Sequence, residues 1–207
     1  MEGQLDYADL RSLFPNAPYV GCDMRAGPGV DRVEDVTRMT LRDGEAGTIL
    51  CIETFEHVFE VHRAFDEVFR ALKPGGLFVI TSPFHFKIHG YPDDYWRMTP
   101  SCLARMMERY EARICGYQGH EKTPHTVMAL GFKAPAPADF AERAARFVRS
   151  YHASLQQDEA NQPAAAKFKR LLGRIRRSKG ERRQLACYHK AELRIEHGTG
   201  IGLAAVG

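Results

Sequence analysis

The chain has 207 residues, 44% of them hydrophobic and 27% charged. That is about one domain of sequence with enough apolar material for a core, which excludes wholesale disorder. The formal net charge of +3 hides an asymmetry: residues 1–150 carry 18 basic and 21 acidic side chains, while residues 151–207 carry 11 and 5. No apolar run approaches the ~18 residues of a membrane span. The opening MEGQLDYADLRS lacks a basic-then-apolar pattern, and the five cysteines form no CxxC pair. The expectation is a cytoplasmic protein without a disulfide framework.

Residues 5–14 place Leu5, Ala8, Leu13 and Phe14 at helical spacing, ended by Pro15 and Pro18. Residues 19–23 (YVGCD) read as a buried strand closed by an acid. Gly27-Pro28-Gly29 follows in a loop and reads as a turn rather than a phosphate cradle, because Pro28 has no amide to donate. Residues 48–53 (TILCIE) are a second apolar strand ending on an acid. Residues 60–72 form an amphipathic helix with Val61, Phe65, Val68, Phe69 and Leu72 on one face, stopped by Lys73-Pro74-Gly75-Gly76. Residues 77–82 (LFVITS) make a third apolar strand. A polar-aromatic loop, a helix over 100–109, strands over 112–117 and 126–132, and a helix over 138–157 follow. The alternation predicts an α/β fold: a Rossmann-like, doubly wound, mostly parallel sheet. Residues 118–125 are too few for a crossover helix, so the last two strands should form a terminal antiparallel hairpin. The expected division is an α/β domain over 1–134 and a basic helical extension over 135–207.

In an open α/β sheet, ligands bind beyond the carboxyl ends of the strands. Asp23, at a strand end, can accept both hydrogen bonds of a ribose diol. Asp35, in the next loop, can accept from an exocyclic amine, with Met24, Val36 and Phe55 as apolar walls. The run YVGCD, VEDVTRM, TILCIETFEHV and FRALKPGGLFVITSPF resembles the class I S-adenosylmethionine-dependent methyltransferases over residues 5–133. The resemblance implies S-adenosylmethionine as cofactor, with Asp23 on the ribose, Asp35 and Val36 at adenine, and Glu53 to Val58 beside the methionine end. Plainer readings stand beside these: Asp23 as a loop cap, Glu53 as a helix-cap acid.

The family's first strand and its Gly-x-Gly loop would precede residue 5, and that strand would lie centrally. Three accounts stay open: a start further upstream, a homologue that has lost cofactor binding, and a circular permutation. In the last, Glu196-x-Gly198-x-Gly200-x-Gly202 would be the displaced glycine loop.

The acceptor should meet the loop from His85 to Arg97. Its Tyr91, Tyr95, Trp96, Asp93, Asp94 and Arg97 suit a polyol, and PDDYWRMTP resembles methyltransferases of glycan synthesis. The expected substrate is therefore a small molecule or glycan. His89, then Asp94, are the candidate catalytic bases, with His57 shaping the site. Capping by the aspartates and core packing by Trp96 are the alternatives. His62, His120 and His125 are spaced unlike a metal set, so no metal is expected. From Lys167 to Arg183 the chain carries nine basic residues, with Phe168, Leu171, Leu172 and Ile175 as an apolar stripe. Such a helix packs on the domain or contacts an anionic membrane surface. Without interleaved aromatics, nucleic acid is not the expected partner. The rival to an enzyme is a non-catalytic interaction module. Nothing in the sequence fixes the oligomeric state.

Overall fold

A computed structural model describes residues 10–90, 93–161 and 190–198. Two short strands come first: β1 (Cys22–Asp23) and β2 (Arg32–Val33), paired in parallel. A five-stranded sheet follows, built from β3 (Ala46–Ile52), β4 (Leu72–Pro83), β5 (Ala112–His120), β6 (Thr123–Phe132) and β7 (Ala191–His197). Its order is β3-β4-β6-β5-β7. β3 and β4 are parallel. β6 runs against both β4 and β5, and β7 runs against β5. So β3, β4 and β5 share a direction, and the expected hairpin is β5–β6.

Three helices cover both faces. α1 (Val61–Ala71) buries Val61, Ala64, Phe65, Val68 and Ala71, the stripe that 3.6 residues per turn predicts. α2 (Pro100–Met106) starts on Thr99, whose side chain accepts from Cys102 N at 3.1 Å, with Pro100 opening the first turn. Both lie over Phe78, Ile80, Cys115, Val127 and Ala129. α3 (Phe140–Asn161) packs Phe140, Ala144 and Val148 on Ala112, Ile114, Met128 and Leu193. The sheet residues alternate between the two cores, as a period of two requires. α3 and β7 thus share a core with β5 and β6, so the boundary expected at 134/135 falls inside one packed unit.

Two expectations need correction. The strand foreseen over 19–23 shrinks to β1, which is exposed and pairs only with β2. An apolar strand is buried only where neighbours flank it, and among the described residues β1 has no partner in the main sheet. The permutation is also overturned. β7 pairs with β5 at the edge opposite β3, not between β1 and β3. Glu192 and Arg194 alternate with half-buried or buried neighbours, which is an edge-strand pattern. Gly200 and Gly202 lie outside the described residues, as does the basic stretch from Lys167 to Arg183. Of the helix foreseen over 5–14, Leu10–Leu13 are described, as a 3-10 turn.

The Gly-Pro-Gly loop is a turn as expected. Val30 N donates to Gly27 O at 3.1 Å, and Gly29 takes φ 75° after Pro28. That is type II geometry, with proline and glycine in their preferred places. β7 docks through a close approach at Gly116, where a β-carbon would meet Glu192 O at 1.9 Å. Gly116→Ala should therefore push β7 off β5 and uncover Leu193, costing about 1.5–3 kcal/mol of unfolding free energy. A denaturation midpoint equal to wild type would remove β7 from this edge.

Candidate functional site

The carboxyl ends of β3 and β4 open on the same side of the sheet, because the two strands are parallel. Glu53 follows β3 in the left-handed region, φ 49°. For a residue with a β-carbon this costs about 1–3 kcal/mol, and such outliers gather at functional sites. The turn is held by β4: Glu53 N donates to Thr81 O at 3.1 Å, and Thr81 Oγ1 donates to Glu53 Oε1 at 2.8 Å.

The next three residues, Phe55–His57, form a 3-10 turn that sorts its side chains. Phe55 points into the core against Phe65 and Phe78. Glu56 is fully buried, and its Oε1 has no hydrogen-bond partner among the described residues. Ser82 Oγ donates to Glu56 Oε2 at a long 3.4 Å. Burial, with the nearby Glu53 charge, pushes the Glu56 carboxyl up to about 7. His57 stands beside it, 30% exposed.

The loop after β4 is fastened over this turn. Tyr95 N and Trp96 N both donate to Glu56 O, at 2.7 and 3.2 Å. Trp96 Nε1 donates to Val58 O at 2.9 Å. Asp94 is buried, and the Arg97 guanidinium grips it with two nitrogens at 2.5 and 2.7 Å. That bidentate pair, with His89 N at 2.8 Å, holds the Asp94 carboxyl well below the usual carboxylate range. Gly90 takes φ 60° where a β-carbon would sit 2.8 Å from the His57 ring, so the loop can pass that ring only with glycine.

Both histidines turn the same way. His57 Nδ1 lies 2.5 Å from Asp93 O, and a carbonyl only accepts, so that nitrogen carries a proton. His89 Nδ1 faces the ionised Asp94 Oδ2 at 3.2 Å and donates likewise. Their Nε2 atoms lie 3.6 and 3.9 Å from Glu56 Oε1. The rings meet edge to face, 4.8 Å between centroids.

The expected cofactor residues are spread along the same rim. Asp23 is exposed; its Oδ1 accepts from Arg25 N at 2.8 Å, a local cap, and its other oxygen has no partner among the described residues. Arg25 reaches Asp93 of the loop after β4 at 3.8 Å, so the end of β1 and that loop adjoin. Met24 is exposed, and Val36 is half-buried against the core. Asp35 accepts from Thr37 N, Thr37 Oγ1 and Arg38 Nε, so both oxygens are already engaged. Two assignments need correction. Phe55 has no exposed surface and cannot wall a cofactor. Asp94 is held by Arg97 and by His89 N, and its lowered pKa opposes the role of a base. The helix cap is Thr99, not either aspartate. Glu56 was missed: in sequence it is one acid among many, and only its burial singles it out.

Residues 15–80 match the family described as a methyltransferase domain. Over those residues the chain is similar to a methyltransferase domain. No curated protein matches the sequence. Among solved structures, a Thermotoga maritima S-adenosylmethionine-dependent methyltransferase is 18% identical, with TM-score 0.42, over 51% of this chain and 65% of its own. A Methanosarcina mazei S-adenosylmethionine-dependent methyltransferase is 13% identical, TM-score 0.39, over 55% and 81%. One from Archaeoglobus fulgidus is 13% identical, TM-score 0.45, over 55% and 75%. The matched methyltransferase segment spans β1 to most of β4, and hence Asp23, Asp35 and the Glu53–His57 turn. The loop after β4 and the β5–β6 hairpin lie beyond it.

Proposed function

We propose that the chain is an S-adenosylmethionine-dependent methyltransferase for a small molecule or glycan. The observation that carries this is the junction of β1 with the acceptor loop, tied by Arg25 and Asp93 on the rim where β3 and β4 end. Ligands of α/β sheets bind on that rim. The residues fit the adenosine half of the cofactor. Asp23 keeps one carboxylate oxygen for a ribose diol. Val36 and Met24 offer apolar surface, and Asp35 retains only spare lone pairs for adenine. Glu53, folded back onto Thr81, borders the methionine end. When bound, the cofactor supplies an electrophilic methyl. The chain's own work is to orient the acceptor, and positioning of this kind can supply much of a rate. Tyr95 and Trp96, 45% and 38% exposed, give aromatic faces at the loop. His89 Nε2 can receive a proton from an acceptor hydroxyl, with Asp94 holding the ring through Nδ1.

Titration calorimetry with S-adenosylmethionine tests the reading. Asp23→Ala should weaken binding about 10- to 100-fold, the value of a hydrogen bond to a charged group. Binding indifferent to that change would remove Asp23 from the site. Absence of binding at millimolar cofactor would favour the interaction module.

A further inference from the structure

Glu56, His57 and His89 offer one ligand atom each, all within 4.8 Å of one another. The chemistry at their meeting point is lopsided. Glu56 Oε1 is buried and has no donor among the described residues. His57 gives its Nδ1 proton to the Asp93 carbonyl, and His89 gives its Nδ1 proton to Asp94. In the neutral rings both Nε2 lone pairs then face the lone pairs of Oε1, at 3.6 and 3.9 Å. With Glu56 ionised, three acceptors converge, and among the described residues no other positive charge lies between them. Arg97 does not fill the gap, because both its terminal nitrogens are committed to Asp94.

We infer that this centre binds a divalent first-row transition-metal ion through Glu56 Oε1, His57 Nε2 and His89 Nε2. Two imidazoles and one carboxylate, with the remaining positions open, are the ligand set of catalytic zinc and of non-haem iron. In a tetrahedral zinc site, neighbouring ligand atoms lie about 3.4 Å apart. The separations from Oε1 need to close by only a few tenths of an ångström, and the widest in the cluster, within 4.8 Å, by more, through rotation of the two partly exposed rings. The outer partners are those that metal-bound histidines ordinarily have: a backbone carbonyl on one Nδ1 and a carboxylate on the other, the latter fixed by arginine. Both rings are 30% exposed, so an ion can enter from solvent. A metal and a proton exclude each other at His89 Nε2. The loaded centre would therefore lower the pKa of a coordinated acceptor hydroxyl directly, and this last consequence alone rests on the methyltransferase reading.

The test uses the untagged full chain, stripped with chelator and titrated with Co2+, Zn2+ and Mg2+. One Co2+ per chain is expected, with a visible absorption band that Zn2+ removes and excess Mg2+ leaves alone. Glu56→Gln and His89→Ala should each weaken Co2+ binding by more than the 10- to 100-fold that losing an outer-shell partner typically costs. His120→Ala, at the far end of β5, should change nothing. Thermal melting separates the site from the fold. Metal should raise the Tm of wild type, and Glu56→Gln should melt as a folded protein without that rise. Failure of wild type to bind Co2+ stoichiometrically would overturn the inference, as would binding unchanged in both ligand variants. Neither readout needs S-adenosylmethionine, so loss of the metal site and loss of the methyltransferase reading are told apart.

Discussion

Arg97→Ala should be among the most damaging substitutions outside the core, lowering stability by about 3–5 kcal/mol. The cost comes from Asp94. Its carboxylate is buried to 1% exposure, and among the described residues Arg97 is the guanidinium that pairs with it. Removing the guanidinium strands that charge and releases the loop backbone at Lys87 O, which Arg97 also holds at 3.2 Å. For a chain of this length the loss corresponds to a fall in Tm of order 10 °C. Adding Asp94→Asn in the same chain should recover much of it, since an amide needs no counter-charge. A fall below about 1 kcal/mol, the ordinary value of a surface pair, would show that the loop does not bury Asp94 as described.

Phe78→Ala should cost a similar 3–5 kcal/mol, through lost burial and the cavity left behind. Phe78 is fully buried at the middle of β4. Its ring lies 6.0 Å from Phe55, 5.9 Å from Phe65 and 5.9 Å from Tyr110, centroid to centroid. It therefore joins the site turn, α1 and the segment before β5, and loses several aromatic contacts at once. Phe78→Leu, which keeps most of the volume, should cost under half as much. Equal denaturation midpoints for the two variants would show that this cluster is not the centre of the core.

The sequence carried the middle of the fold plainly. Residues 48–53, 60–72 and 77–82 appear as β3, α1 and β4 within a few residues of expectation. The two strands show as continuous apolar runs and the helix as an apolar stripe of period 3.6, and such patterns are local. The β5–β6 hairpin was equally legible, because eight residues cannot hold a crossover. Residues 19–23 failed for the opposite reason. Their composition suits a buried strand, yet burial depends on neighbours that composition does not name. β7 failed similarly: its glycine-rich ending fitted a loop pattern, while its alternating charges, present all along, pointed to an edge.

The site divides the same way. His89 and Asp94 were singled out from residue type and loop position, His89 as the first candidate base and Asp94 as the second. A carboxylate near a histidine looks like a base until the guanidinium that neutralises it is seen. Phe55 looked like a wall because it follows a strand end. The left-handed turn at Glu53 rotates it into the core and brings Glu56 inward behind it.

By itself the sequence determined the α/β class, the order of its central elements and the resemblance to methyltransferases. The class and the element order rest on apolar runs, periodicity and spacing, and the resemblance on its quoted motifs, all of which belong to the chain alone. Tertiary structure decided which acid is buried, which nitrogen of each histidine is left free, and that Glu56, His57 and His89 meet. The reason is desolvation and hydrogen-bond direction. Both are set by what lies across the fold: Ser82 on β4, Asp93 and Asp94 on the loop, and Arg97 behind them, none of which is read from a residue's neighbours in sequence.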